Sequence, residues 1–378
     1  MIDLADTAEE ASFRQDLRAW LHDHAPAEPP PETLPERHQF LRAWHRRLHD
    51  GGWTGISWPA RYGGRGLGVI EESIFNFELG LAEAPAGPHF GYIGRPLLHY
   101  GSEAQKQRYL PPMLASEELW CQGFSEPDAG SDLAGLSTRA VDTGDRFVVS
   151  GQKVWTSFAQ FADFCLLLAR TDPTKPKHAG ITALVLDMRS PGVTVRPLTM
   201  STGDAEFCEV FLDEVEVPKD NVVGNVGQGW EIALTTLAYE RGPVDIGFQA
   251  RFERFLARLV DEATRRGRGD DPEVRRTLAS AAVAVEVLRL QCLRSLTTRI
   301  ESAEPPGPEG SVDKLLMAST EQQLTTAALA ILGPETLLAE ASWFKAYLYA
   351  RSASVYGGTR EIQKNILAAR VLRLPQQG

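Results

Sequence analysis

Residues Trp120 to Ala140 read WCQGFSEPDAGSDLAGLSTRA. Small residues and hydroxyls crowd around Gly130 and Ser131. Such a loop can turn backbone N–H groups toward a phosphate or another anion. It lacks the lysine of a P-loop and does not match G-x-G-x-x-G. Composition leaves two readings open here, an anion-binding loop and a tight surface loop.

The stretch lies where the hydrophobic pattern changes. Before it, up to about residue 115, the chain reads helical, with Phe13, Leu17, Trp20 and Leu21 at helical spacing. PAEPPPETLP and PARYGGRGLG break those helices. After it come RFVVSGQKVWTS, FCLLLART, ITALVLDM, VTVRPL and EVFLDEVEVP, extended runs rich in β-branched and aromatic residues. Gly, Pro and Asp punctuate them, as in a sandwich or small barrel, and Pro218 ends the last. From about residue 226 long periodic segments return, joined by short loops, which predicts a helical bundle. The reading is an α+β multidomain chain. It has an N-terminal α-helical domain over residues 1–117, a β domain, sandwich or small barrel, over 118–222 and a C-terminal helical bundle over 223–378. No internal repeat or heptad pattern is present.

A chain of 378 residues exceeds one ordinary core. With 43% hydrophobic and 24% charged residues it reads as globular. Its net charge of −11 argues against nucleic acid or anionic membrane as partners. No apolar run approaches a membrane span, and MIDLADTAEEASFRQDL is too acidic for a signal peptide. A cytoplasmic location is expected. Cys121, Cys165, Cys208 and Cys292 are scattered without a CxxC pair and read as buried free thiols. His45 and His49 in HRRLH read as a surface pair, because Arg46 stands where a metalloprotease motif has glutamate. No metal site is expected.

GFSEPDAGSDLAG resembles the acyl-CoA dehydrogenase signature. GWTGISWPARYGG, QKQRYLPPMLASEE, GQKVWTS, GQGWEIALTTLAYERG and YGGTREIQKNILAARVLRLP resemble further blocks of that family, in the family's order. The resemblance covers almost the whole chain. It implies that the β domain is a β-barrel (residues 118–222) and the bundle a four-helix bundle (residues 223–378), in the order of helices, strands and helices already read from the pattern, with a bound FAD and an acyl thioester substrate. It implies that Phe124 and Ser125 contact the flavin ring with Gln122 close by, and that Gly130 and Ser131 meet the pyrophosphate. Phe124 departs from the family's usual aliphatic residue. Trp155 is implied to lie on the isoalloxazine face, with the Ser157 hydroxyl near the hydride-accepting nitrogen. Residues two apart share a face of a regular strand. Without the resemblance, Trp155 reads as a core aromatic and Ser157 as an exposed hydroxyl. Thr359 and Glu361 match cofactor positions, and Thr359 also reads as a helix N-cap.

In many family members the base follows Tyr in a Tyr-Glu-Gly-Thr stretch. Here SVYGGTREIQK carries Tyr356-Gly357-Gly358-Thr359, so Tyr356 and Gly357 border the substrate and the base position has no side chain. Branches resembling isovaleryl- and long-chain acyl-CoA dehydrogenases take the base from another helix. The matching block is LAYERG, with Glu240 as base and Arg241 beside the substrate. By itself the pair also reads as surface charges before Gly242-Pro243.

Two departures bear on assembly. ATRRGRGDDPEV stands where many members carry Arg-x-x-Phe-Gly, and AILGPETLL replaces Gln-x-x-Gly-Gly. They resemble a bacterial branch that handles bulky, steroid-like side chains, some as heteromers. The implied partners are acyl-CoA or an acyl-carrier thioester, an electron-transfer flavoprotein, and copies of the chain (dimer or tetramer) or a related subunit in a heterotetramer. Two alternatives stay open, a partner subunit completing another chain's site and an oxygen-using flavoenzyme on the same fold.

Overall fold

The computed structural model describes residues 6–85, 91–239, 243–301, 307–308, 310–337 and 342–375. Helices come first: α1 (Ala8–His24), α2 (Leu34–Asp50), α3 (Val69–Leu81), α4 (Gly91–Tyr100) and α5 (Glu103–Leu114). Strands follow: β1 (Trp120–Gly123), β2 (Arg139–Asp142), β3 (Arg146–Ser157), β4 (Phe164–Arg170), β5 (Ile181–Asp187), β6 (Val193–Leu198), β7 (Phe207–Pro218) and β8 (Val222–Val223). Helices close the chain: α6 (Gly229–Tyr239), α7 (Pro243–Arg265), α8 (Pro272–Glu301), α9 (Gly310–Leu332), α10 (Ser342–Ala350) and α11 (Arg360–Ile366). The expected order of helices, sheet and helices is present. Among the described residues no helix is long and apolar enough to cross a membrane.

The chain forms two compact units that interleave in sequence. One holds the described parts of Pro30–Gly66 and Gly87–Glu240, so it contains α2, α4, α5, the sheet and α6. Its strands run β6-β7-β3-β2-β4-β5-β8, with β1 added in parallel to β4. The nearly continuous apolar runs of β4 and β5 follow from burial on both faces. Phe164, Leu166, Leu168, Ile181, Ala183 and Val185 pack with Leu97, Leu110 and Met113 of α4 and α5. Cys165, Leu167, Ala169, Leu184 and Leu186 face the other way, toward Phe147, Val149, Val210 and Val215 of β3 and β7. Pro197 lies in β6, at the end of the strand order, where its missing N–H costs no ladder bond. All four cysteines are buried free thiols, as expected.

His45 departs from the expected surface pair. Burial, aided by the charge of His49, lowers its pKa to about 4, with a backbone hydrogen bond to Leu114 working the other way. The hydrophobic face of α2 carries it inward beside Trp44 and Leu48.

The other unit holds the described parts of Met1–Pro29, Leu67–Ala86 and Arg241–Gly378, and so α1, α3 and α7 to α11. Thr7 caps α1 by accepting from Glu10 N, and Glu10 accepts from Thr7 N in return, a capping box. Glu78 of α3 is buried and binds Arg14 and Arg18 of α1, each at 2.7 Å. Phe252, Leu288, Cys292, Met317 and Leu324 form one apolar cluster of α7, α8 and α9, and Leu259, Val274, Ala328 and Ile331 another.

Helix α3 packs on α7 through Gly80. A Cβ there meets Gly247 O at 2.5 Å and Ala250 Cβ at 2.7 Å, both fixed by helical backbone. Gly80→Val should therefore force α3 and α7 apart and destabilise the protein by about 1–3 kcal/mol. Urea denaturation measures it, with an unchanged midpoint as the contrary result.

Candidate active site

The loop from Phe124 to Ser137 is built on one buried ion pair. Lys153 Nζ lies 2.8 Å from Glu126 Oε1, with side chains 0% and 4% exposed. Lys153 also donates to Phe124 O at 3.1 Å. Glu126 takes three more bonds: Ser137 N at 2.6 Å, Ser137 Oγ at 2.8 Å and Thr138 N at 2.8 Å. Its burial favours the neutral acid, but Lys153 and these donors outweigh that and hold its pKa at about 2. Burial pulls the Lys153 ammonium below its ordinary range, and the carboxylate opposes that. The pair fixes both ends of the loop: Phe124 at its start, Ser137 and Thr138 at its end. Ser125 is tied in by its own carbonyl, which accepts from Val154 N at 3.0 Å.

Neither Glu126 nor Lys153 stands out in the motif reading. A signal existed, because Lys153 shares strand parity with Phe147 and Val149, which point into the core. A lysine at such a position needs a buried partner.

Within the loop Gly130 and Ser131 are exposed, and the space beside Gly130 Cα is open. Asp132, next in sequence, is ion-paired to Lys177 at 2.7 Å. Its negative charge is thereby balanced, leaving hydroxyl and backbone donors at Gly130-Ser131. Phe124 is buried, while Gln122 and Ser125 are partly exposed.

Trp155 is not a core aromatic. It is 61% exposed and meets Phe207 edge-on at 6.1 Å. Its φ of +59° puts a bulky residue in the left-handed region. The cause is a register shift in the β3–β7 pairing: Lys153 pairs with Val210, but Thr156 with Cys208. One extra residue is inserted in β3, a bulge that re-aims the side chain. The same-face argument for Trp155 and Ser157 assumed a regular strand, and the register shift between Lys153 and Thr156 interrupts that regularity. Thr156 turns inward, and its buried Oγ1 has no hydrogen-bond partner among the described residues.

The other candidate residues form the turn before α11. Gly357 and Gly358 have φ of +62° and +91°, so the two glycines are needed for the backbone path. Fully buried Gln363 closes the turn by donating from Nε2 to Gly357 O at 3.0 Å and Gly358 O at 3.3 Å. Thr359 is the N-cap, its hydroxyl accepting from Ile362 N at 3.3 Å. Glu361 is exposed and paired with Arg360 at 3.2 Å. A backbone N–H and that guanidinium hold its pKa below the usual range.

Glu240 and Arg241 lie outside the described residues. Tyr239, immediately before them, is held by His99, whose Nε2 is 3.0 Å from the Tyr239 hydroxyl and whose ring stacks at 5.6 Å. Arg95 lies over the Tyr239 ring at 5.1 Å.

Removing one partner of a buried pair costs more than removing both, because a lone charge remains. Lys153→Met should lose roughly 3–5 kcal/mol in urea denaturation, and Lys153→Met with Glu126→Gln should lose less. The folded pKa of Glu126 lies below its ordinary 4.5. Its stabilisation is therefore complete above about pH 4.5 and fades as pH falls toward about 2. Glu126→Gln should flatten that part of the acid stability profile. A profile of unchanged slope is the contrary result.

Family models place this geometry. The N-terminal, middle and C-terminal domains of acyl-CoA dehydrogenase match residues 7–117, 121–215 and 227–372. The acyl-CoA dehydrogenase IpdE1 of Mycolicibacterium smegmatis is 39% identical, over 97% of this chain and 98% of its own. A solved steroid ACAD, Tcur3481-Tcur3483, superposes with a TM-score of 0.87 at 30% identity, covering 100% of both chains. The ChsE4-ChsE5 complex from Mycobacterium tuberculosis gives a TM-score of 0.85 at 27% identity, again over 100% of each chain. The chain belongs to the acyl-CoA dehydrogenase family, a family of flavin-dependent oxidoreductases.

Proposed function

We propose that this chain binds FAD and desaturates an acyl thioester, acyl-CoA to trans-2-enoyl-CoA, with Glu240 as the base. The observation that carries the assignment is the turn at Gly357. Position 357, the usual base position, has a φ of +62° that an L-residue adopts only with strain. Glu361, the carboxylate that follows, is exposed and committed to Arg360. Glu240 in LAYERG is the carboxylate that the resemblance leaves for the task.

The residues present suit FAD. Trp155 offers a large aromatic surface that the surrounding chain leaves 61% exposed. Gly130 and Ser131 offer open space and hydroxyl or backbone donors, with Asp132, next in sequence, paired to Lys177. That donor set fits a pyrophosphate. Phe124, Ser125, Gln122 and Ser157 are assigned to the ring. Thr359 and Glu361 are assigned to the cofactor by resemblance alone. When bound, FAD accepts the hydride that leaves the β-carbon.

The remaining work belongs to side chains of this protein. The α-proton is weakly acidic, so a positioned carboxylate must take it, a contribution of ~10²–10⁴-fold. Arg241, next to Glu240 in sequence, is assigned beside the substrate by resemblance alone. Tyr356 and Gly357 are assigned to the substrate by resemblance, and Gly357 has no side chain that could serve as the base.

Assembly with a related subunit is part of the reading. Relatives in solved structures carry paired names, Tcur3481-Tcur3483 and ChsE4-ChsE5. Helix α8 also presents Val283, Val287 and Leu290 to solvent at 63%, 44% and 51% exposure. Their i, i+4, i+7 spacing forms an apolar stripe.

The test is Glu240→Gln. It should keep the flavin spectrum of the purified protein and lose reductive activity toward acyl-CoA by ~10² or more, followed as anaerobic flavin bleaching. Unchanged bleaching rejects Glu240 as base. A wild-type chain purified without flavin, alone and with its subunit partner, rejects the FAD reading. Turnover that requires oxygen favours an oxygen-using flavoenzyme.

A further inference from the structure

Helix α9 carries a polar stripe that the reaction above does not use. Lys314, Glu321 and Thr325 stand at i, i+7 and i+11, one face of the helix. Ala318 and Ala328 lie between and beyond them on that face, and both are buried. Lys314 is 6% exposed, and its ammonium sits 3.7 Å from the centroid of the Tyr356 ring. That is contact distance for a desolvated cation–π interaction.

The segment leading to Tyr356 is tied to the same stripe. Gln322 donates to Ala350 O at 3.0 Å and Ser354 Oγ at 3.2 Å. Arg351 donates to Gln322 O at 3.3 Å and Thr325 Oγ1 at 3.2 Å. Glu321 shares that helix face with Lys314, and the charges of Lys314 and Arg351 both act on its carboxyl. Its Oε2 is buried and has no hydrogen-bond donor among the described residues.

An ionised carboxylate without a donor is costly in such a place, and a neutral acid much less so. We propose that Lys314 and Glu321 are positioning residues for the Tyr356-Gly357-Gly358-Thr359 turn: Lys314 clamps the Tyr356 ring while Glu321 is a neutral acid, and ionised Glu321 competes for the ammonium. The assignment rests on reading that turn as a wall of the substrate site. It explains what secures a turn whose two glycines supply no side-chain contacts. Gln363 holds its carbonyls and Lys314 holds its aromatic ring.

The titration runs in the required sense. Burial raises the Glu321 pKa to about 7, against the pull of Lys314 and Arg351. A carboxyl whose folded pKa is raised stabilises the fold least at high pH: the loss begins near 4.5 and is complete above about 7. The turn should therefore be tightest below neutrality and loosen above it.

Hydrogen exchange of the full-length protein tests this, read as protection factors for peptides spanning residues 355–366 at about pH 6 and about pH 8. The wild type should lose protection severalfold between the two. Glu321→Gln should keep its protection at both. Lys314→Met should be roughly tenfold less protected at both, and Lys314→Arg, which retains a cation over the ring, should restore it. A Lys314→Met protein with wild-type protection overturns the clamp. So does a Glu321→Gln protein that keeps the wild-type pH response, and this second variant decides if Lys314→Met does not fold. Exchange needs no bound cofactor, so a chain without flavin would reject the proposed function and leave this result standing.

Discussion

Everything assigned to the loop after β1 depends on the contact between Glu126 and Lys153. The magnitudes show what kind of contact it is. Taking each ion out of water costs several kcal/mol. Four hydrogen bonds to the carboxylate return about 1.5–3 kcal/mol apiece. The two sums are comparable, so the pair adds little net stability. What it supplies is geometry. Glu126 can satisfy Ser137 N, Thr138 N and the Ser137 hydroxyl at once only if the loop adopts one path. Lys153 then aligns Phe124 O with the same centre. Gly130, Ser131 and Asp132 lie between these anchors, so their open backbone is presented by a loop held at both ends.

Much of the fold was legible because periodicity and burial agree. The run VTVRPL is β6, residue for residue, and RFVVSGQKVWTS is β3. FCLLLART and ITALVLDM were readable as strands because each is almost continuously apolar, and the two apolar clusters account for both faces. The interleaving of the units was not legible. Helix α3 joins α1 and α7 through a close approach at Gly80 and the buried Glu78 between two arginines. Both are long-range contacts, and local pattern carries no record of which distant helix fills the space left by a glycine. His45 shows the same gap at the scale of a side chain. The HRRLH spacing placed it on a helix face, but whether that face is covered depends on residues far along the chain.

The site was legible as composition and not as geometry. The hydroxyls, the glycines and Trp155 came from motif blocks, and Thr359 as a cap came from chemistry alone. The bulge at Trp155 could not be read, because register belongs to the pairing with β7 and not to β3 itself. Its consequence is large: an aromatic that alternation from buried Lys153 would turn inward is instead turned out in a strained conformation. The holding residues were the least visible. Lys153, Gln363 and Lys314 touch backbone carbonyls, a carboxylate or an aromatic ring, and none carries a pattern that marks the group it holds.

The pair of glycines at 357 and 358 ties these strands together. A glutamate at position 357 would act through its side chain and, at the present φ, strain its backbone by about 1–2 kcal/mol. Glycine removes both the carboxylate and the strain. It also removes the restraint that a side chain gives, and ordering a glycine costs more entropy than ordering any other residue. A turn built this way must be held from outside. Gln363 does so from the following helix by bonding two successive carbonyls. Lys314 does so from α9, through the ring of Tyr356. On the reading that assigns the base to Glu240, moving the base and tethering the turn are one structural change: once the turn no longer carries the reacting group, its task reduces to keeping its place.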